Sequence, residues 1–150
     1  RGETVVSTHR SADHRAAGSP RYFCTRAGEA VTRLRLPADA QVHTLPYGEP
    51  RTLGGVTVSL HAAGHILGSS QVRIEHDGAV WVVSGDYKRD ADPTCAPFEV
   101  VPCDVFISEA TFALPAYRWP GTHLVARDIF NWWHAHKPTG AAGSLLANAP

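Results

Sequence analysis

The sequence predicts a layered α/β domain, on three observations. Short strand-like runs recur along most of the chain. Two of them are joined by Asp77-Gly78, the dipeptide that favours the type I′ turn of a tight hairpin. Two longer segments carry apolar residues at helical spacing instead. Strands flanked by helices bury their apolar faces as layers, and 150 residues suffice for one modest domain with a real core.

The elements follow in order. "TVVS" (4–7) is a short buried strand that runs into a polar loop. Thr25 can cap a helix from about Arg26 to Leu36, in which Ala27, Ala30, Val31 and Leu34 follow i, i+3, i+4, i+7. Pro37 ends it. "QVHTL" (41–45) is a strand closed by the turn signal "PYGEP". "RTL", Gly54-Gly55 and "VTVSLHA" form a hairpin, with alternation through Val56, Val58 and Leu60. "QVRIEH", Asp77-Gly78 and "AVWVVSGD" form the second and stronger one. "DVFISEA" (104–110) is a further strand that ends on an acid. A helix from about Thr122 to His136 is expected to bury Val125, Ile129, Trp132, Trp133 and His136 on one stripe.

Composition narrows the function classes. Apolar content is 43% and charged content 19%, the balance of a folded globular chain. No apolar run approaches the roughly 20 residues of a membrane span, so no membrane partner is expected. The start lacks the layout of a signal peptide. Formal charge is zero, with 14 basic and 14 acidic residues, so any nucleic-acid groove must be local. Cys24, Cys95 and Cys103 fit neither a zinc knuckle nor a disulfide framework, and read as free thiols of a reducing cytoplasm. The chain contains no methionine, and it is read as a piece of a longer protein, truncated at both ends.

Residues that can bind a metal cluster at strand ends. His9, Asp13 and His14 follow the first strand, His65 follows "VTVSLHA", Asp86 follows "VWVV", and Glu109 follows "DVFIS". Loops at one edge of a sheet are where α/β folds place their sites. Imidazoles and carboxylates without thiolate suit zinc over manganese or iron. Gly64 and Gly68 around His65, and Gly85 beside Asp86, let the backbone bend close to an ion. Each residue alone also has a structural reading: a surface or capped histidine, a strand terminator, an ordinary turn, a solvated acid. His43, His61, His76, His123 and His134 show no partner pattern and read as structural or exposed. There is no GxSxG elbow and no persuasive Ser/His/Asp triad.

The order of the blocks carries a resemblance. "THRSADH" (8–14) resembles the HxHxDH signature of the metallo-β-lactamase superfamily, with Ser11 where the family has histidine. "AAGHILGSSQVRIEHDG", then "VWVVSGDYKRD", resemble the third and fourth superfamily motifs as they stand in β-CASP nucleases. "ISEATFALPAYRWP" resembles the acidic β-CASP motif. The wording of "RYFCTRAGEA", "YGEP" and "YRWP" is most similar to the bacterial ligase-associated DNA exonuclease family.

The resemblance implies a partial αββα metallo-β-lactamase sandwich over residues 1–150, about one half to two thirds of the domain, with the β-CASP region starting near 109–150. It implies two zinc ions. His9, position 11 and His65 would hold the first, Asp13 and His14 the second, and Asp86 would bridge them. Asp86, Asp13 and Glu109 would be the catalytic acids, Glu109 supporting proton transfer. The implied activity is a cytoplasmic DNA exonuclease of DNA repair, acting on DNA with an ATP-dependent DNA ligase as partner. An RNA-processing β-CASP nuclease is the nearest alternative. A small-molecule hydrolase of the same fold is more distant, and the Glu109 segment argues against it. A non-catalytic partner subunit with a decayed metal site is the alternative of another class, and Ser11 favours it. A serine hydroxyl is a poor zinc ligand, so the expectation is weakened binding at the first site.

Overall fold

A computed structural model describes residues 4–9 and 18–136 of the chain. Ser11, Asp13 and His14 of the signature loop lie outside the described residues. The chain divides into two compact units, Arg1–Glu109 and Ala110–Pro150.

Among the described residues, the first unit is mixed α/β, with two sheets and one short helix. Strands β1 (Thr4–Val6), β2 (Arg21–Thr25) and β3 (Gln41–Leu45) form a parallel three-stranded sheet in that order. Strands β4 (Arg51–Leu53), β5 (Val56–Ala62), β6 (Ser70–His76), β7 (Ala79–Val83) and β8 (Val105–Ile107) form the second sheet, again in chain order. Its pairings are antiparallel through β7, while β7 and β8 are parallel. Phe23 and Leu45 from the first sheet meet Val58, Leu60 and Val72 from the second in one apolar cluster. Removing that apolar area from water is the main term holding the sheets together.

Both hairpins form at the expected places. Asp77 and Gly78 take φ of 49° and 79°, the left-handed pair that the type I′ turn requires. The strand Arg21–Thr25 was not in the expected order. It is the middle strand of a parallel sheet, so Tyr22, Phe23, Cys24 and Thr25 are all buried and show no in–out alternation.

The helix expected over Arg26–Leu36 is shorter. It spans Glu29–Leu34 (α1), with Gly28 as N-cap. Thr25 belongs to β2 instead, and its hydroxyl accepts the Gly28 amide at 3.0 Å and donates to the Gly68 carbonyl at 2.7 Å. The expected apolar stripe does not face the core. Ala27, Ala30 and Leu34 are exposed and Val31 is half-buried, while Thr32 is the buried residue of the helix. The turn from Thr25 to Gly28 sets the rotation of so short a helix, and propensity and pattern yield to that tertiary anchor. The strand expected over 104–110 is confined to Val105–Ile107. Asp104 caps its start, with its carboxylate taking the Val80 amide at 2.8 Å and its own amide donating to the Val80 carbonyl at 2.9 Å.

In the second unit the described regular element is helix α2 (Thr122–His136), with the expected bounds. It has no buried residue: Val125, Ile129, Trp132 and His136 are exposed and Trp133 is half-buried. The expected burial of that stripe is not met, because no strand or second helix is described in that unit to cover it. His134 and His136 share hydrogen bonds with the carbonyls of Phe130 and Trp132 one turn earlier.

Candidate metal centre

The site is assembled where the two sheets are stitched together. After β1 the Ser7 amide donates to the Phe23 carbonyl of β2 at 2.8 Å. The next carbonyl, that of Thr8, accepts the Ser70 amide at 2.7 Å from the start of β6. His9 follows at once, so both sheets fix its backbone origin. Its side chain is 2% exposed.

His65 sits in the loop between β5 and β6. Ser69 closes that loop: its buried hydroxyl accepts the amides of His65 at 3.1 Å and Ile66 at 3.2 Å. Its amide returns to the Ile66 carbonyl at 2.9 Å, and the Tyr47 hydroxyl donates to the Ser69 carbonyl at 2.9 Å. Burial is the main cause that raises the Tyr47 hydroxyl pKa above its ordinary value, which keeps that donor protonated. Gly68 turns with φ of 79° against the backbone of Gly28, which a Cβ on Gly68 would crowd. Glycine is required at position 68 for that approach.

Asp86 follows β7. Ser84 continues the pairing past the strand, its amide donating to the Ile107 carbonyl at 2.9 Å. Gly85 then turns with φ of 57° and lies against Thr8, where an added Cβ would come 2.6 Å from the Thr8 Cβ. That turn brings Asp86 Oδ2 to 3.4 Å from His9 Nε2 and 4.0 Å from His65 Nε2. The imidazoles stand edge to face, with centroids 5.5 Å apart and planes at 84°.

His9, His65 and Asp86 thus each offer a ligand atom, all within 4.8 Å of one another. Two atoms bound at zinc distances to one tetrahedral ion stand about 3.4 Å apart. The His9–Asp86 pair already has that separation, and the cluster as a whole is roughly an ångström wider than a closed tetrahedron. Two imidazoles and a carboxylate form a borderline donor set that suits zinc and related divalent ions. The residues therefore fit a resident metal ion.

Of the sequence-selected residues that are described, three converge. Glu109 is not part of the cluster. It follows β8 as Asp86 follows β7, at the same end of two parallel strands paired through Val83 and Ile107, and it is half-buried. Asp13 and His14 lie outside the described residues. Sequence reasoning passed over Thr8, whose hydroxyl shares a hydrogen bond with His9 Nδ1 at 3.2 Å, and Ser69. The only local signal for Ser69 is its hydroxyl in the "GSS" that follows "GHIL". His61, read without a partner, has two: Ser59 Oγ at 3.0 Å from Nε2 and Glu99 Oε1 at 2.8 Å from Nδ1. With Gln71, which donates to the carbonyls of Ala62 and Glu99, it binds the Glu99 segment to β5 and β6.

The three cysteines are free, as their spacing implied. Among the described residues no helix is long and apolar enough to cross a membrane.

No family model matches the chain. Curated relatives do. A protein named "Probable DNA ligase" from Opitutus terrae is 35% identical over 133 residues, 85% of this chain and 13% of that protein. "Endoribonuclease YSH1" of Yarrowia lipolytica is 33% identical over 86 residues, 56% of this chain and 10% of its own length. "Cleavage and polyadenylation specificity factor 73" of Drosophila melanogaster is also 33% identical over 86 residues, 56% of this chain and 11% of its own. The chain thus spans about an eighth or less of the length of each of these relatives. Together with the ordered motifs around His9, His65, Asp86 and Glu109, these matches show a chain similar to β-CASP members of the metallo-β-lactamase superfamily.

Proposed function

We propose that this chain carries part of the active site of a zinc-dependent phosphodiester hydrolase, a DNA exonuclease of DNA repair. The observation that carries this reading is the convergence of His9, His65 and Asp86 from three separate segments. His9 and His65 would hold the first zinc with Asp86, which would bridge to a second ion held by Asp13 and His14. Bound zinc supplies Lewis-acid polarisation of the phosphodiester and activation of water near neutral pH.

The chain's own residues do the rest. His9, nearly sealed from solvent, anchors the site to both sheets. Asp86 is 43% exposed at its side chain and supplies negative charge on the side open to substrate. Glu109, at the matching end of the neighbouring strand, would help supply a proton to the leaving oxygen. The two-sheet unit would be part of an αββα sandwich, and the β-CASP region would begin in the second unit. Three free thiols suit the cytoplasm.

DNA is put before RNA because the relative named a DNA ligase matches 85% of the chain, against 56% for the relatives named as an endoribonuclease and a polyadenylation factor. The same match makes an ATP-dependent DNA ligase the proposed partner. The RNA-processing reading is second, supported by the endoribonuclease names. Ser11 supports a third, a non-catalytic subunit with a decayed site.

The test is metal analysis and nuclease assay of the chain and a Ser11→His variant, on matched DNA and RNA substrates. Zinc binding with DNA cleavage, strengthened by Ser11→His, is the expected result. Cleavage of RNA alone moves the substrate to the second reading. Stoichiometric zinc in both forms with neither substrate cut favours the third. No zinc in either form overturns the proposal.

A further inference from the structure

We propose that Thr8 is a positioning residue for this metal centre: its hydroxyl accepts the Nδ1–H of His9 and holds the imidazole in the tautomer whose Nε2 lone pair faces Asp86. The inference rests on the reading that His9, His65 and Asp86 hold a metal ion, and it adds a residue outside the ligand set.

The geometry has three parts. Thr8 Oγ1 lies 3.2 Å from His9 Nδ1, while the other ring nitrogen, Nε2, lies 3.4 Å from Asp86 Oδ2. An imidazole that ligates through one nitrogen needs a partner for the proton on the other, and that partner sets tautomer and ring angle. A neighbouring hydroxyl can serve, since it offers lone pairs as well as a proton.

Thr8 is itself held. Its carbonyl accepts both the amide of Ser70, at 2.7 Å, and the Ser70 hydroxyl, at 3.2 Å. Its Cβ, Oγ1 and Cγ2 all lie against Gly85, the residue before Asp86. A β-branched side chain has few χ1 choices, and the Gly85 contact narrows them further. The threonine therefore touches the supports of two ligands. It orients His9 directly, and its fit against Gly85 sets how closely the Asp86 turn approaches.

The experiment measures zinc affinity of the chain by competition with a chromophoric chelator, for the parent, Thr8→Val and Thr8→Ser. Thr8→Val keeps the shape and removes the hydroxyl, and is expected to weaken zinc binding about 10- to 100-fold. Thr8→Ser restores the hydroxyl and is expected to bind within a few-fold of the parent, which a purely packing role for the methyl would not produce. A ¹⁵N–¹H correlation spectrum of the zinc-loaded parent should show His9 protonated at Nδ1 and ligating through Nε2. This second measurement decides the matter even where Thr8→Val does not fold.

Zinc bound equally by Thr8→Val and the parent, or ligation through Nδ1, overturns the role of Thr8 and leaves the metal reading standing. A parent and Ser11→His variant that both bind no zinc overturn the metal reading and this inference with it.

Discussion

The Nε2 of His9 stands 3.4 Å from the Oδ2 of Asp86, although the two residues leave different sheets. His9 follows an edge strand of the parallel sheet, and Asp86 follows β7 of the other. Their burial is unequal: the histidine side chain is 2% exposed and the aspartate 43%. The histidine is thus the fixed member, and the carboxylate is the one solvent can reach.

Loss of His65 or Asp86 should therefore weaken metal binding. Asp86→Asn and His65→Ala are each expected to weaken zinc binding at least about tenfold, since removing a ligand costs no less than disturbing its support. Isothermal titration of the metal-free variants measures this. Affinities equal to the parent's would place the ion elsewhere.

Gly85 should tolerate no side chain. Its φ of 57° costs an L-residue about 1–2 kcal/mol. An added Cβ would lie 2.6 Å from that of Thr8, and such overpacking typically costs about 1–3 kcal/mol more. Gly85→Ala is expected to lower unfolding free energy by about 2 kcal/mol or more, read from urea midpoints. A shift within about 0.5 kcal/mol would mean that Thr8 yields freely.

Ser69→Ala should loosen the His65 loop. The variant leaves the His65 and Ile66 amides without the hydroxyl that accepts them, a cost of about 1–3 kcal/mol. Faster hydrogen exchange at those two amides, with weaker zinc binding, is the expected pair of results. Unchanged exchange would show that the loop is held without Ser69.

The segment after Asp86 carries a pH signature. Asp92 is held below its ordinary carboxylate pKa by the Thr94 hydroxyl first and the Thr94 amide second, with Lys88 adding attraction. A depressed folded pKa stabilises the fold above the unfolded pKa, and the contribution is lost as pH falls through the folded value. Asp92→Asn is therefore expected to flatten the loss of stability below about pH 4, measured by unfolding at a series of acid pH values.

The same carboxylate bears on Cys95. Burial, then the charge of Asp92, raises that thiol above its ordinary range. Cys95 should alkylate more slowly at neutral pH than an unhindered thiol, because the thiolate is the reactive form. Asp92→Asn should recover part of the rate. A variant no faster than the parent would leave burial as the whole cause.

The paired strands β4–β5 and β6–β7 were legible because their signals are local. Alternation of Val56, Val58 and Leu60, and the left-handed Asp77-Gly78, act within a few residues. β2 was not legible: a strand buried on both faces carries no period, and Thr25 read as the cap of a helix that begins later. The stripes of α1 and α2 were legible as helices, but their burial was not, since periodicity names an apolar face without naming what covers it.

What the sequence determined by itself was the set of candidate donor types and their places at strand ends. His9, His65 and Asp86 each follow a strand, and the order of those blocks carried the family resemblance. Tertiary structure alone decided which of them meet, at what distance, and what holds them. Thr8 and Ser69 hold His9 and His65 through hydrogen bonds and packing that exist only once the sheets join and their loops close. Chain order lists donors, but a metal site is a distance condition between segments far apart in sequence, and only the joining of two sheets satisfies it.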